Sequence, residues 1–204
     1  MVIPKWISWA GFLAIVGGSL AILLTAPFAT AYYAAYPGFD IPPVWLPSVR
    51  LVLRPLLTFA SPVEVYNLYG RVFNLVYLLF LPAILGLHHL HQGTGKRLEP
   101  WGFGLLVVGL LATFIGVAGD YWLDGITFFL ELLGLLILSI GAVVYGVAIV
   151  RSKVLPGWCG WLLVSCLPGV FVFLQLIGHI PSGPTLPFAI VWLVIGYLLL
   201  RKSR

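Results

Sequence analysis

The segment WGFGLLVVGLLATFIGVAG, residues 101–119, contains 19 residues and no charged side chain. An α-helix needs about 20 apolar residues to cross the hydrocarbon core of a bilayer, so this segment predicts a transmembrane helix. Further apolar runs of this kind lie at residues 6–31, 64–90, 125–150, 158–178 and 184–200. Because a backbone in lipid must satisfy its own hydrogen bonds, each run is predicted to be helical.

The composition of the whole chain is typical of a membrane protein. Hydrophobic residues make up 61% of the 204 residues and charged residues 8%, with a mean hydropathy of +1.09. Soluble domains contain about 25% charged residues, and a porin-type barrel would show alternating segments of roughly ten residues. We therefore predict an all-α integral membrane protein with a single membrane domain, in which six transmembrane helices form antiparallel hairpins beside one interfacial helix.

The positions of the basic residues indicate the orientation of the chain. Seven of the eleven lie between the second and third runs, between the fourth and fifth runs, and after the sixth run, at Lys96, Arg97, Arg151, Lys153, Arg201, Lys202 and Arg204. Arg50 and Arg54 lie in the long segment after the first run, and long segments weigh less in the positive-inside rule. By the positive-inside rule, we expect these turns and both termini to be cytoplasmic. The net charge of +5 is explained by this topology, and no nucleic-acid binding is expected.

The longest segment between two runs covers residues 32–62. Its first half contains the proline-rich stretch YPGFDIPPVWLP. The stretch PSVRLVLRPLLTFA, residues 47–60, is apolar except for Arg50, Arg54 and two hydroxyl side chains. We predict a helix at about residues 47–59 that lies in the outer interface, with its arginines toward lipid headgroups.

The first run has a second interpretation as a secretory signal peptide. Lys5 provides a positive start, and the triplet Ala29, Thr30, Ala31 resembles a cleavage site. The apolar stretch is longer than the usual about 7–15 residues of a signal peptide, which favours a transmembrane helix.

Glycines and prolines indicate how the predicted helices pack and bend. Glycines recur at seven-residue spacing in the third and fourth runs, at Gly102, Gly109, Gly116, Gly134 and Gly141. Such small residues let two helices approach closely in lipid. Prolines that are expected to kink helices without ending them are Pro27, Pro82 and Pro168.

Polar residues near the outer ends of the predicted helices are the best indicators of function. Most of them recur at spacings of three or four residues, which places those neighbours on one face of a helix. The candidate residues are Glu64, Asn67, Arg71, Asn74, Asp120, Asp124, Glu131, Gln175 and His179. We expect them to converge on an outward-facing polar pocket. The alternative is a polar network that only holds the helices together.

Two members of this set are predicted to form an ion pair. Arg71 and Glu131 lie at similar depths in their helices, roughly 10 Å below Glu64 and Asp124. An unpaired charge at that depth costs at least about 2.5 kcal/mol, so the two are natural partners. In the pocket hypothesis Arg71 engages an anionic group of the ligand.

Three of the four histidines, His88, His89 and His91, lie at the other end of the second run. His88 and His91 share a helical face, but two imidazoles fall short of the three or four protein ligands typical of zinc. His179 lies across a core of about 30 Å and cannot join them. We expect no metal and no cofactor, and interpret the histidines as a cationic helix end near anionic lipid.

Four segments resemble a group of uncharacterised bacterial multi-span membrane proteins. They are VYNLYGRVFNLVYLLFLPAILGLH, GDYWL, VLPGWCGWLL and LIGHIPSGPTLPFAIVWLVIGY, which fall in the second to sixth runs. The resemblance implies a prokaryotic plasma membrane and brings no activity or catalytic residue with it.

Three functions are compatible with these observations. The favoured one is non-enzymatic, the binding or passage of a small amphiphile or lipid headgroup in the pocket. The second is a membrane-embedded enzyme acting on a lipid or isoprenoid, with Asp120, Asp124, Glu131 and His179 as acid-base or metal groups. The third is an accessory or assembly subunit of a membrane complex. Membrane lipids are the expected partners, together with other membrane proteins in the third case.

Overall fold

The computed structural model describes residues 4–92, 97–123 and 127–202, and within these ranges every regular element is an α-helix. The described helices are α1 (Lys5–Ala35), α2 (Leu46–Val52), α3 (Arg54–Leu57), α4 (Pro62–His91), α5 (Leu98–Trp122), α6 (Phe128–Ser152), α7 (Gly157–Val164), α8 (Cys166–Ile177) and α9 (Ser182–Lys202).

Helices long and apolar enough to cross a membrane make up most of the fold. They are α1, α4, α5, α6 and α9. The pair α7 and α8 meets the same criterion with a bend of 47° between its halves, and provides the sixth crossing when it is taken as one span. The predicted class, an all-α bundle of membrane-spanning helices, is therefore confirmed. The ends of these helices fall within four residues of the predicted runs, apart from the start of the fourth run, which lies outside the described residues.

The long helices form a closed ring. α1 packs against both α9 and α4, α4 packs against α5, and α5 makes its most extensive contact with α6. α7 then packs on α6 and α8 on α9, which closes the ring. We call the end where α1 ends and α4 begins the loop end, and the end where α4 ends and α5 begins the basic end. Large buried side chains, Phe28, Phe73, Tyr77, Phe80, Tyr145 and Trp192, fill the interior.

Close contact between α5 and α6 depends on the predicted glycines. A Cβ atom on Gly102 would lie 2.7 Å from the Tyr145 backbone nitrogen, and one on Gly141 would lie 2.6 Å from the Leu106 nitrogen. Gly109, Gly116 and Gly134 likewise face the backbone of the opposite helix. The seven-residue glycine spacing therefore marks a true interhelical seam, in which any side chain would push the two backbones apart.

Prolines explain two interruptions in the helices. Pro168 lacks the N–H that would bond to the carbonyl of Val164, and its ring clashes with that carbonyl, so the helix breaks between α7 and α8. Pro55 acts in the same way between α2 and α3, which meet at Leu53. The single interfacial helix predicted at residues 47–59 is thus replaced by two short helices. α1 and α4 continue through their prolines.

Candidate functional site

A cavity of about 850 Å³ lies at the loop end of the bundle. Its volume is in the range of small-molecule sites, about 300–1,000 Å³. Its walls come from α1, α4, α5, α6 and α8, from the segment after α1, and from the bend between α8 and α9. The lining residues of this loop-end cavity are Tyr32, Tyr33, Tyr36, Phe39, Asp40, Ile41, Tyr66, Asn67, Asp120, Tyr121, Phe128, Leu174, Gln175, Gly178, His179 and Ile180.

Aromatic rings from four parts of the chain converge around the inner wall of the cavity. Phe28 of α1 is fully buried, and its ring centroid lies 4.6 Å from that of His179. Its centroid lies 5.5 Å from those of Tyr66 and Tyr121. Tyr32 stands 4.9 Å from His179 and 5.6 Å from Tyr66. These edge-on and tilted contacts hold the rings in fixed positions, with Phe28 buried behind the other rings, which line the cavity.

A chain of hydrogen bonds runs through this aromatic group. The hydroxyl groups of Tyr66 and Tyr121 lie 2.8 Å apart, and Tyr66 Oη lies 3.2 Å from His179 Nε2. On its other side, His179 Nδ1 lies 2.8 Å from Ser182 Oγ at the start of α9. Burial lowers the pKa of His179 to about 3, so its imidazole is neutral at physiological pH. Through Nε2 the ring joins the α8–α9 bend to α4, and through Nδ1 it joins the bend to the start of α9.

The segment after α1 is fastened over the mouth of the cavity. Tyr32 Oη donates to Asp40 Oδ2 at 2.5 Å, and Trp45 Nε1 donates to the Leu176 carbonyl at 2.7 Å. Tyr33 Oη donates to the Gly178 carbonyl at 2.7 Å. Gly178 ends α8 with φ +68°, a left-handed conformation that favours glycine, and a Cβ there would also collide with Tyr33 Oη. These bonds tie α1 and its loop to α8.

A pair of carboxyl groups lies on the α5–α6 side of the cavity. Asp120 lines the cavity and lies within hydrogen-bonding reach of Glu131, which is 1% exposed behind it. No donor among the described residues reaches Asp120 Oδ1 or Glu131 Oε1. Gly116 makes this arrangement possible, because its missing side chain lets the Glu131 backbone approach α5. A hydrogen bond between two carboxyl groups requires a proton on one of them.

The charge of the cavity is acidic. Of the described residues that line it, the charged ones are Asp40 and Asp120, and none is a lysine or an arginine. Asp40 belongs to the loop after α1 and Asp120 to the last turn of α5, so the two carboxylates approach the cavity from different elements. A positively charged group is therefore the favoured complement.

The predicted ion pair between Arg71 and Glu131 was wrong. Arg71 Nε donates to the Tyr121 carbonyl at 2.9 Å, and its guanidinium lies 5.2 Å from the centroid of the Trp122 ring. It thereby provides a cation at the C-terminal end of α5, where the helix dipole favours positive charge. The salt bridges among the described residues do not include an Arg71–Glu131 pair. Arg71 does not line the cavity, so the hypothesis that it holds an anionic group there loses its basis.

The other predicted site residues divide into three groups. Asn67, Asp120, Gln175 and His179 line the cavity. Glu64 instead forms a capping box with Ser61, in which the Ser61 backbone N–H donates to the Glu64 carboxylate at 3.0 Å. Asn74 is buried deeper in α4. Asp124 lies outside the described residues.

Sequence reasoning missed the aromatic part of the site. Tyr32, Tyr33, Tyr36, Tyr66 and Tyr121 line the cavity together with Asp40. Tyrosine is common wherever a transmembrane helix meets the membrane surface, so its position near a helix end carries little information. Tyr32 and Tyr36 are four residues apart just after the first run, and this helical spacing is the one sequence signal that could have been used.

His88 and His91 of α4 belong to a separate group at the basic end, in which His91 is buried and His88 is partly exposed. His88 Nδ1 pairs with Glu99, and its ring stacks on Phe103 with centroids 3.8 Å apart. His91 is fully buried and bonds through Nε2 to Ser152. These two residues thus join α4 to α5 and α6, and the fully buried His91 does not form the cationic helix end near anionic lipid that was expected. No group of three or more His, Cys, Asp or Glu side chains in the described ranges is arranged to hold a metal ion.

Comparison with known proteins finds no family model, no curated protein and no solved structure that matches this chain. The function must therefore be argued from the geometry and charge of the loop-end cavity.

Proposed function

We propose that the protein binds a small amphiphile whose polar end is a cationic amine, in the loop-end cavity. The observation that carries this proposal is a wall of five tyrosines and two aspartates without a lysine or arginine among the described lining residues. The negative faces of aromatic rings attract organic cations, and such cages recognise quaternary ammonium groups. The nearby carboxylates add a charge interaction that a neutral or anionic ligand lacks.

The rest of the lining is suited to an apolar tail. Phe39, Ile41, Phe128, Leu174 and Ile180 contribute apolar surface to the same cavity. Phe39 is 79% exposed and Ile41 is 93% exposed, so both remain uncovered at the mouth. A ligand with a cationic head among the tyrosines and an alkyl chain along these residues would cover apolar surface that now lacks a protein partner.

The state of His179 supports binding over catalysis. Both ring nitrogens already have hydrogen-bond partners, Tyr66 and Ser182, and the ring is 3% exposed. A general base must reach the substrate proton with a free nitrogen at hydrogen-bonding distance. His179 therefore acts as a structural link in the cavity wall.

Two probes of equal chain length and opposite charge test the charge preference. Octyltrimethylammonium and octyl sulfate are titrated calorimetrically into the protein in lipid nanodiscs, with empty nanodiscs as the blank. We expect saturable binding of the cation with an affinity at least about tenfold higher than that of the anion. Asp40→Asn and Asp120→Asn should each weaken cation binding about fivefold to tenfold, because each removes one charge from the cavity.

Arg71→Gln is the matched control for these variants. It changes a charged residue at the same end of the bundle that does not line the cavity, and that bonds to the Tyr121 backbone carbonyl and lies over the Trp122 ring. We expect its cation affinity to stay within about twofold of the unsubstituted protein. Equal binding of the two probes, or loss of binding only in Arg71→Gln, would contradict the proposal.

A further inference from the structure

We infer that the Asp120–Glu131 pair holds one proton and releases it when a cationic headgroup enters the loop-end cavity, so that cation binding is coupled to proton release. This inference rests on the proposed function and adds a proton as a second ion, which leaves the protein when the cation binds. It also assigns a role to Glu131, which does not line the cavity.

The surroundings of Glu131 provide the first step. Its side chain is 1% exposed, no donor among the described residues reaches its Oε1 atom, and the carboxyl group of Asp120 lies beside it. Two ionised carboxylates in such a place would repel each other without a compensating cation. With one proton between them, one carboxyl group becomes a donor and the pair carries a single negative charge.

The ionisable side chains around Glu131 do not provide a hydrogen-bond donor or a cation that would take the place of that proton. Tyr66 and Tyr77 of α4 and Tyr121 of α5 face Glu131, but their hydroxyls are already bonded, Tyr66 to Tyr121 and Tyr77 to Thr185.

The remaining charged and titratable groups nearby have partners of their own. Arg71 is committed to Tyr121 and Trp122, and Asp40 to Tyr32. His179 is buried and bonded at both nitrogens. Among the described residues no cation thus neutralises the carboxyl pair.

The position of Asp120 connects the pair to the ligand. Asp120 lines the cavity, whereas Glu131 lies behind it, so an amine head that enters the cavity meets the Asp120 side of the pair. The positive charge of the ligand stabilises the doubly ionised pair. The O–H bond of the shared acid then breaks, its electron pair stays on the carboxylate oxygen, and the proton passes to water in the cavity. One positive charge enters and one leaves, so the net charge of the occupied site is unchanged.

Calorimetry with a permanently charged ligand measures this exchange directly. Octyltrimethylammonium has no proton to lose, so proton release on binding comes from the protein. Its binding heat is measured at one pH in two buffers of different ionisation enthalpy, and the difference gives the number of protons released. We expect close to one proton per bound cation, and an affinity that rises by about tenfold per pH unit.

Glu131→Gln separates the coupling from the binding. The amide keeps the size of the side chain and can donate to Asp120, which then stays ionised, so the variant should bind the cation without releasing a proton. Glu64→Gln is the matched control, because Glu64 is an exposed carboxylate in the capping box of α4, and it should release protons as the unsubstituted protein does.

The outcomes distinguish the two proposals. Saturable cation binding without proton release in the unsubstituted protein would overturn the coupling and leave the proposed function standing. Absence of saturable cation binding would overturn both. These two results come from the unsubstituted protein, so they do not depend on whether Glu131→Gln folds.

Discussion

His179 illustrates how one buried side chain joins three elements. Its ring packs against Phe28 and Tyr32 of α1 and lies 3.2 Å from the hydroxyl of Tyr66 in α4. Its second nitrogen bonds to Ser182 of α9. Because the ring is 3% exposed, the charged imidazolium is disfavoured, and the pKa of His179 falls to about 3.

This lowered pKa predicts a contribution to acid sensitivity. The unfolded chain, whose histidine has a pKa of about 6.5, takes up a proton before the folded chain does. The stabilisation is therefore complete above pH about 6.5 and is lost progressively as the pH falls toward about 3. At pH about 5 this residue should lower the free energy of unfolding by about 2 kcal/mol. Thermal unfolding in detergent at pH about 7.5 and about 5 measures the loss.

Two variants identify His179 as the source of this effect. His179→Gln is expected to be less stable at neutral pH, since it loses the fit of the ring, but its melting temperature should fall less on acidification. Tyr66→Phe keeps the buried imidazole and should keep the larger fall. The same fall in all three proteins would show that the acid sensitivity arises elsewhere.

The helix pair α5–α6 controls the geometry of the site through its glycine seam. Gly116 and Gly119 face Glu131 and Thr127, so the separation of the two helices decides whether Asp120 and Glu131 can meet. Close approach of this kind is maintained in lipid by packing, since lipid tails offer no hydrophobic drive for two helices to associate.

Two glycines near the basic end of α5 test this packing. A Cβ on Gly102 would lie 2.7 Å from the Tyr145 nitrogen, whereas one on Gly104 would meet nothing within 4 Å. Gly102→Ala should therefore cost about 1–3 kcal/mol of stability through overpacking. Gly104→Ala should be neutral or stabilising, because alanine favours helix by about 1 kcal/mol over glycine. Chemical or thermal unfolding of the two purified variants in detergent gives the comparison, and equal losses would contradict the seam.

Orientation in the membrane is a property of the whole chain. The native cysteines, Cys159 and Cys166, are fully buried, so the unsubstituted protein should react poorly with thiol reagents and can serve as the control. Val44 is 99% exposed at the loop end. Gly157 is exposed near the basic end, with open space for a side chain.

Single cysteines at these two positions test the predicted topology. With the basic end in the cytoplasm, Val44→Cys should react with a membrane-impermeant maleimide on intact cells, and Gly157→Cys should react only after the membrane is permeabilised. The reverse pattern would place the loop-end cavity on the cytoplasmic side. It would overturn the orientation that the distribution of lysine and arginine predicts.

The fold class followed from sequence alone because a transmembrane helix is a local object. Its length, its lack of charge and its internal hydrogen bonds are all set by about 20 consecutive residues. The seven-residue glycine spacing was equally readable, since it requires only the periodicity of one helix. Polar residues of several runs were also expected near one end, because successive crossings return the chain alternately to each side.

The partners of individual side chains needed the tertiary structure. Helical spacing gives the depth of Arg71 and Glu131, but it does not give the direction in which each helix faces around the ring. In the closed ring of helices, Arg71 faces Tyr121 and Trp122, and Glu131 faces Asp120. The closed ring also gathers tyrosines from three helices around one cavity, and this long-range arrangement changes the favoured ligand charge from anionic to cationic.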